Sequence, residues 1–270
     1  MSYCILFSPS EDKILKDVES SAAPNKYSDF LSNLWYGKEL LAHRKNLYNI
    51  YIKYIQQILQ SQDSRILQEL YGVKRLEDKT LHELCLIAAN RDSHNSELMP
   101  AIRRYSGVAF QGLRYENLAY DAQYVILNRV LIFSNLFGVI CARDTIPFYK
   151  LKQGSKLQNL SLKEVYQPFI PYLESTQYEC VIDLRSSIYA KIWSPRNGCA
   201  HLFFEFYKNG KTISHYAKLY RGKILALLSA YIAQSPNHTA HTIINFLTGI
   251  NNEEMCFIGF KEKSRTQILQ

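Results

Sequence analysis

The sequence predicts an α+β protein: a mixed sheet surrounded by helices, in a single compact domain over residues 1–270, with a largely helical segment of about 27–104 inserted after the first strand. Three observations predict it. The chain opens on a wholly apolar run, Tyr3 to Phe7, as a strand covered on both faces does. The next hundred residues carry helical periodicity almost throughout. From Tyr178 short β-rich runs and an Asn-Gly turn replace that period before helices return.

Each element follows from its local pattern. Ser8-Pro9-Ser10-Glu11-Asp12-Lys13 ends the first strand as a polar turn. From Gly37 to Gln60, Leu40, Leu41, Leu47, Ile50, Tyr51, Tyr54, Ile55 and Ile58 recur at near-helical spacing. That helix places His43, Arg44, Lys45 and Lys53 on a solvated face. Shorter helices are predicted over about Arg65 to Tyr71, Thr80 to Ala88 and Ser96 to Arg103. Tyr105 to Tyr115, rich in glycine and aromatics, reads as a loop. Asn117 to Val130 reads as a helix, and the second half of Leu131 to Ile140 as a strand. Glu179 to Leu184, Ile188 to Trp193 and His201 to Tyr207 read as strands. Lys208-Asn209-Gly210-Lys211 supplies a hairpin turn, because Asn-Gly readily takes positive φ, and Thr212 to His215 returns. Ala217 to Ala233 is a helix and Met255 to Phe260 a last strand.

Composition bounds the classes of function. A hydrophobic share of 47% excludes disorder as the main state, and 11 glycines with 8 prolines argue against long flexible linkers. Lysine and arginine number 32 against 24 acids, giving a net charge of +8. An anionic partner fits that sign, which alone does not choose among DNA, RNA, an acidic membrane surface or none. Cys4, Cys85, Cys141, Cys180, Cys199 and Cys256 show no CxxC spacing, so no zinc site is expected. Reduced thiols in a cytoplasmic protein fit best. The first apolar run is too short for a secretory signal, and no run reaches the ~18 apolar residues of a membrane span. No membrane partner is expected.

The most informative local feature is His215-Tyr216-Ala217-Lys218-Leu219-Tyr220-Arg221-Gly222-Lys223. A helix N-terminus carries partial positive charge, so cations there are disfavoured unless an anion occupies the site. A solvated basic turn accounts for the same residues equally well. Arg103-Arg104-Tyr105, Arg114-Tyr115 and Tyr149-Lys150-Leu151-Lys152 are further basic and aromatic spots. Ile66 to Val73 is similar to the first helix and hairpin of a helix-hairpin-helix, although Gly72 serves as well for a simple helix C-cap. Asp144 and Asp183 follow apolar runs, where catalytic carboxylates and turn-capping ones are both found. Walker, GxGxxG and GxSxG motifs are absent, and the catalytic residues stay unknown beyond these two candidates. His238-Thr239-Ala240-His241 lacks a third ligand, so neither a metal nor any other cofactor is expected.

The residues singled out resemble, in order, the YaaA family of bacterial peroxide-stress proteins. Ile5-Leu6-Phe7-Ser8-Pro9-Ser10-Glu11-Asp12-Lys13 is similar to the family's first strand and S-P-A-K-T turn. Ala109-Phe110-Gln111-Gly112-Leu113-Arg114-Tyr115 resembles F-x-G-x-x-Y. Ser134 to Val139, Asp144, and Tyr149-Lys150-Leu151 with Gly154 follow the next blocks. Val181-Ile182-Asp183-Leu184, Ser186 and Tyr189 resemble N-L-A-S-x-E-Y, and Lys208 to Lys211, Ser214, Ala217-Lys218 and Arg221-Gly222 resemble K-N-G-K and A-K-K-A-R-G. Departures stand at Cys141-Ala142 for R-P, Leu219 for the second lysine, Lys152 for a glutamate, and Asp183 and Ile188 for an asparagine and a glutamate.

The resemblance implies a basic cleft that binds DNA, a helix-hairpin-helix-like element, and a role in limiting peroxide- and iron-dependent damage. It assigns phosphate or nucleic-acid contacts to Ser8, Lys13, Gly112, Tyr115, Tyr149, Lys150, Ser186, Tyr189, Lys211, Ser214, Lys218, Arg221 and Gly222. The alternative is an enzyme acting on a nucleotide, nucleobase or other phosphorylated small substrate in the same cleft, with Asp144 and Asp183 as its acid–base candidates.

Overall fold

The computed structural model describes residues 3–15, 30–89, 98–155, 160–196, 198–208, 211–212, 216–235, 237–253, 255–261 and 266–269. In chain order the elements are β1 (Tyr3–Phe7), α1 (Leu41–Ser61), α2 (Ser64–Tyr71), α3 (Asp78–Ala89), β2 (Met99–Pro100), α4 (Ala101–Arg104), α5 (Val108–Leu113), α6 (Tyr120–Arg129), β3 (Val130–Ser134), β4 (Gly138–Cys141), β5 (Thr145–Ile146), α7 (Leu162–Tyr166), α8 (Ile170–Ser175), β6 (Cys180–Leu184), α9 (Ser187–Ala190), β7 (Ala200–Lys208), β8 (Lys211–Thr212), α10 (Ala217–Ala233), α11 (Ala240–Thr248), β9 (Phe257–Lys261) and β10 (Thr266–Leu269). The α+β class and the mixed sheet are as the sequence predicts. The chain groups into two compact units, each built from separated segments: 1–10, 106–133 and 173–270 in the first, 11–105 and 134–172 in the second.

The first unit holds the sheet, in the order β3-β1-β6-β7-β10-β9. Parallel pairing runs from β3 through β1, β6 and β7 to β10, and β9 closes the edge antiparallel. Strands β1, β3 and β6 are buried at every position, which is why they read as continuous apolar runs rather than alternating ones. Helix α5 covers one face, where Phe110 meets Phe7 edge-on at 5.3 Å between ring centres. Helix α10 packs against both α5 and α6. Two glycines set the α5–α10 approach: a Cβ on Gly222 would lie 1.8 Å from the Ala109 carbonyl oxygen, and one on Gly112 2.3 Å from that of Leu219.

The second unit is organised on α1, whose Leu47, Tyr48, Ile50, Tyr51, Ile55 and Ile58 are buried. It packs against α2 and α3. Gly138 has φ 70°, and the Phe169 ring occupies the place a Cβ would need. Gly72 ends α2 in the left-handed conformation, its N–H donating to the Gln68 carbonyl, which is the C-cap role.

Several local expectations are corrected. Residues 108–113, read as loop, form α5, because the glycines there serve close helix packing and not a turn. Ile188 to Trp193 is not a strand: α9 makes one helical turn, and the Tyr189 and Trp193 carbonyls turn inward onto Arg185. Met99–Pro100 pairs with β5, which leaves only Ala101–Arg104 helical in the described part of that predicted helix. The apolar run from Leu131 is strand in both halves, since β3 pairs with β1 from Val130 onward. Beyond the expected last strand, β10 inserts between β7 and β9. The hairpin of β7 and β8 is present with Lys208 opposite Lys211, while its tip, Asn209 and Gly210, lies outside the described residues. Arg44, expected on a solvated face, is fully buried. Its guanidinium donates to the Phe137, Trp35 and Val139 carbonyls at 3.0, 2.7 and 2.9 Å, satisfying backbone oxygens that a tight turn leaves without partners.

Candidate functional site

In the first unit two of the candidate residues, Ser8 and Ser186, lie just past the carboxyl ends of β1 and β6. Parallel strands bring both ends to the same edge, where ligands of parallel sheets commonly bind. Ser8 follows β1 and Ser186 follows β6, and the Ser186 N–H donates to Ser8 Oγ at 2.8 Å. The Ser186 hydroxyl is itself buried with no hydrogen-bond partner among the described residues.

Asp183 is the penultimate residue of β6, level with Leu6 and Phe203 on its neighbours. It is fully buried, as is Arg185. Arg185 grips it with Nε on Oδ1 at 2.8 Å and Nη2 on Oδ2 at 2.6 Å. The remaining Arg185 donors reach the Tyr189 and Trp193 carbonyls, and its plane lies 4.3 Å from the Phe133 ring centre. His201 on β7 adds a third contact, Nε2 to Asp183 Oδ2 at 3.1 Å. Burial pushes the carboxyl upward, but Arg185 and the hydrogen bonds from Arg185 and His201 outweigh it and hold the pKa below the usual carboxylate value. Asp183 is therefore an ionised anchor saturated by its own neighbours.

Helix α10 begins without a side-chain cap and without an acid in its first turn. Lys218 is exposed there, and so is Lys211 on β8. Arg221, one turn on, lies with its guanidinium 5.4 Å from the Phe206 ring centre. Burial lowers its pKa to about 10, against the opposing attraction of Asp183, so it remains a cation at neutral pH. Its Nε has no hydrogen-bond partner among the described residues. Gly112 and Gly222 lie at the α5–α10 contact, and Tyr115 and Tyr189 are buried. Ser214 lies outside the described residues.

The second unit holds Lys13, Asp144, Tyr149 and Lys150. Lys150 Nζ is paired with Glu83 at 3.0 Å, and its backbone exchanges hydrogen bonds with the Tyr51 hydroxyl. Tyr149 is buried, its hydroxyl 2.7 Å from that of Tyr105 and 2.9 Å from Ser134 Oγ. Lys13 stands over the Tyr149 and Tyr105 rings, 4.0 and 5.2 Å from their centres. Asp144 Oδ2 accepts from the Trp35 and Cys141 N–H groups at 2.7 and 2.9 Å, the turn-capping role. Burial raises its pKa, with those hydrogen bonds and Arg44 opposing.

Sequence reasoning missed Arg185 and His201, and read Arg104 only as part of a basic and aromatic spot. Arg104 is fully buried and donates to the Ile14 carbonyl at 2.6 Å. A signal existed for Arg185: a charged residue directly after a continuous apolar strand must find a partner or leave the core. His201 carried none, because its contact spans two strands.

These features define an α+β protein with a mixed, largely parallel sheet, polar groups at its strand ends and a cationic helix start. The chain belongs to the peroxide stress protein YaaA family, whose sequence model matches residues 3–246. It is 32% identical to an uncharacterized protein of Campylobacter jejuni, over 98% of this chain and 99% of that one. A UPF0246 protein of Corynebacterium glutamicum is 32% identical over 58% of this chain and 64% of its own length. One of Rickettsia rickettsii is 28% identical over 54% and 63%. No described helix is long and apolar enough to cross a membrane.

Proposed function

We propose that this protein binds DNA and thereby helps limit iron-dependent oxidative damage in the peroxide response of its family. The observation that carries the reading is the pair of buried donors, Arg221 Nε and Ser186 Oγ, that have no acceptor among the described residues. Buried donors are nearly always satisfied, so an acceptor supplied by a ligand is the economical explanation. The acceptor is anionic, since Arg221 is a cation beside an uncapped helix N-terminus that also bears Lys218. Lys211, Lys218 and Arg221 are the phosphate contacts of the first unit; Lys13 and Lys150 are those of the second.

The test is an anisotropy titration with a labelled duplex at two or more salt concentrations. Affinity falls with salt, with a slope of about −0.9 per phosphate neutralised. The Lys218→Ala/Arg221→Ala double variant binds more weakly and with a shallower slope. Absence of binding at low salt, or a double variant that matches the wild type, overturns the reading.

A second reading has its own support: Ser8 and Ser186 sit at adjacent parallel-strand ends, a usual place for small phosphorylated ligands. Competition of the labelled duplex by a mononucleotide at micromolar concentration would favour it.

A further inference from the structure

We propose that a cavity at the amino end of β1, away from the strand ends that carry Ser8 and Ser186, binds a nucleoside monophosphate, with guanine the preferred base. The cavity has a volume of about 710 Å³ and lies between α6 and the segment that joins α10 to α11. That volume is in the range of small-molecule sites. Tyr3 and Ile232, both buried, and the half-buried Val125 give it an apolar floor. All of its lining belongs to the first unit. None of the residues assigned to DNA contact lines it.

The rim carries the chemistry. Asp121, Val125 and Arg129 follow at four-residue intervals on α6, with Tyr124 beside Val125, so one helix face borders the cavity. Asp121 and Arg129 are thus about 12 Å apart along the helix axis. Both are exposed, and neither has an ion-pair partner among the described residues. The Arg129 guanidinium lies 4.8 Å from the Tyr3 ring centre, against the cavity floor. Tyr124 is 59% exposed, which leaves its ring open to stacking. His238 lines the same cavity. Its ring packs on Tyr231 at 4.6 Å between centres, and Tyr231 stacks on Phe246 at 4.1 Å, so the imidazole is held in place. Its Nε2 is buried with no hydrogen-bond partner among the described residues, which leaves a bond for an occupant to complete.

The order of these groups identifies the occupant. The guanidinium at one end takes an anion, and its fork of donors matches phosphate. The tyrosine between the charges takes a planar ring. The carboxylate at the other end only accepts, so it takes a group that presents donors. A base, a ribose and one phosphate in line meet all three. Guanine presents two adjacent donors, N1–H and the N2 amino group, to a single carboxylate. Adenine and cytosine set one amino donor beside a ring-nitrogen acceptor, and uracil flanks its one N–H with two carbonyls. The bidentate contact therefore selects guanine. The α6 dipole accounts for an acid at its start and a cation at its end. It does not account for the cavity, the open tyrosine ring and the unpartnered histidine at the same place.

Isothermal titration calorimetry on the intact protein tests this, with the 5′-monophosphates of guanosine, adenosine, cytidine and uridine, guanosine alone and inorganic phosphate as ligands. The guanosine nucleotide binds about tenfold or more tighter than the other nucleotides. Guanosine and phosphate each bind more weakly than the two joined. Arg129→Ala weakens the guanosine nucleotide by about tenfold. Asp121→Asn removes the preference for guanine and keeps phosphate-dependent binding. Both side chains are exposed, so both variants fold, and circular dichroism checks that they do. Lys218→Ala/Arg221→Ala leaves nucleotide affinity unchanged. Loss of binding in that double variant with retention in Arg129→Ala places the nucleotide elsewhere and overturns the proposal. Absence of nucleotide binding at millimolar concentration, or equal affinity for all the nucleotides, overturns it as well. Salt-dependent binding of duplex is measured separately, so failure of the DNA reading and failure of this one are distinguishable.

Discussion

At the scale of single residues, charge burial is the main determinant. Arg185 and Asp183 are both fully inside, and each exists only because the other does. Removing one partner strands an uncompensated charge, so Asp183→Ala costs about 3–5 kcal/mol in chemical denaturation. The same carboxyl sets a pH dependence. Its folded pKa lies below the ordinary carboxyl value of 3.8, so its contribution is complete above that pH and is lost as pH falls from there through the folded value. The stability gap between wild type and Asp183→Asn therefore narrows below about pH 3.8, in unfolding curves taken from pH 6 downward. Lys13 acts in the same direction over a higher pH window. Its folded pKa, about 7, lies below the unfolded value, so folding stability rises with pH between about 7 and 10.5 through this residue. Lys13→Met removes that rise.

At the scale of elements, α10 joins stability and binding. Gly222→Ala drives a methyl into the Ala109 carbonyl and forces α5 and α10 apart; about 1–3 kcal/mol or more is lost in thermal unfolding, the range for overpacking. The N-terminus of the same helix carries Lys218 against its dipole. Lys218→Glu is accordingly expected to stabilise the protein by about 0.3–1 kcal/mol while weakening DNA binding. Opposite signs for the two measurements separate a ligand role from a structural one. Element identity was legible where the period was clean. The sequence placed β1, β6, α1 and α10 within a few residues. It failed at α5 and α9, where glycine packing and an inward-turned carbonyl override local pattern.

At the scale of the whole molecule, a net charge of +8 conceals different kinds of cation. Arg44, Arg104 and Arg185 are interior groups that satisfy carbonyls or a carboxylate. Lys45 and Lys53 are exposed on α1, and Lys211 and Lys218 are exposed near the α10 start. With a screening length of about 8–10 Å at physiological salt, total charge acts weakly and position decides. Lys45→Glu/Lys53→Glu thus leaves duplex affinity nearly unchanged, whereas Lys211→Glu/Lys218→Glu lowers it by tenfold or more in the same anisotropy assay.

The sequence by itself determined the α+β class, the strand-rich second half, the family and the motif positions at strand ends and at the start of α10. These depend on local periodicity and turn chemistry, which neighbouring residues specify. Only the tertiary structure decided which arginines are interior, that Asp183 is held by Arg185 and His201, and that Lys13 lies on two tyrosine rings. Those outcomes depend on desolvation and on contacts between residues far apart in the chain. A lysine or an aspartate has the same one-letter code whether it faces water or a buried partner, and its chemistry is set by which of the two it meets.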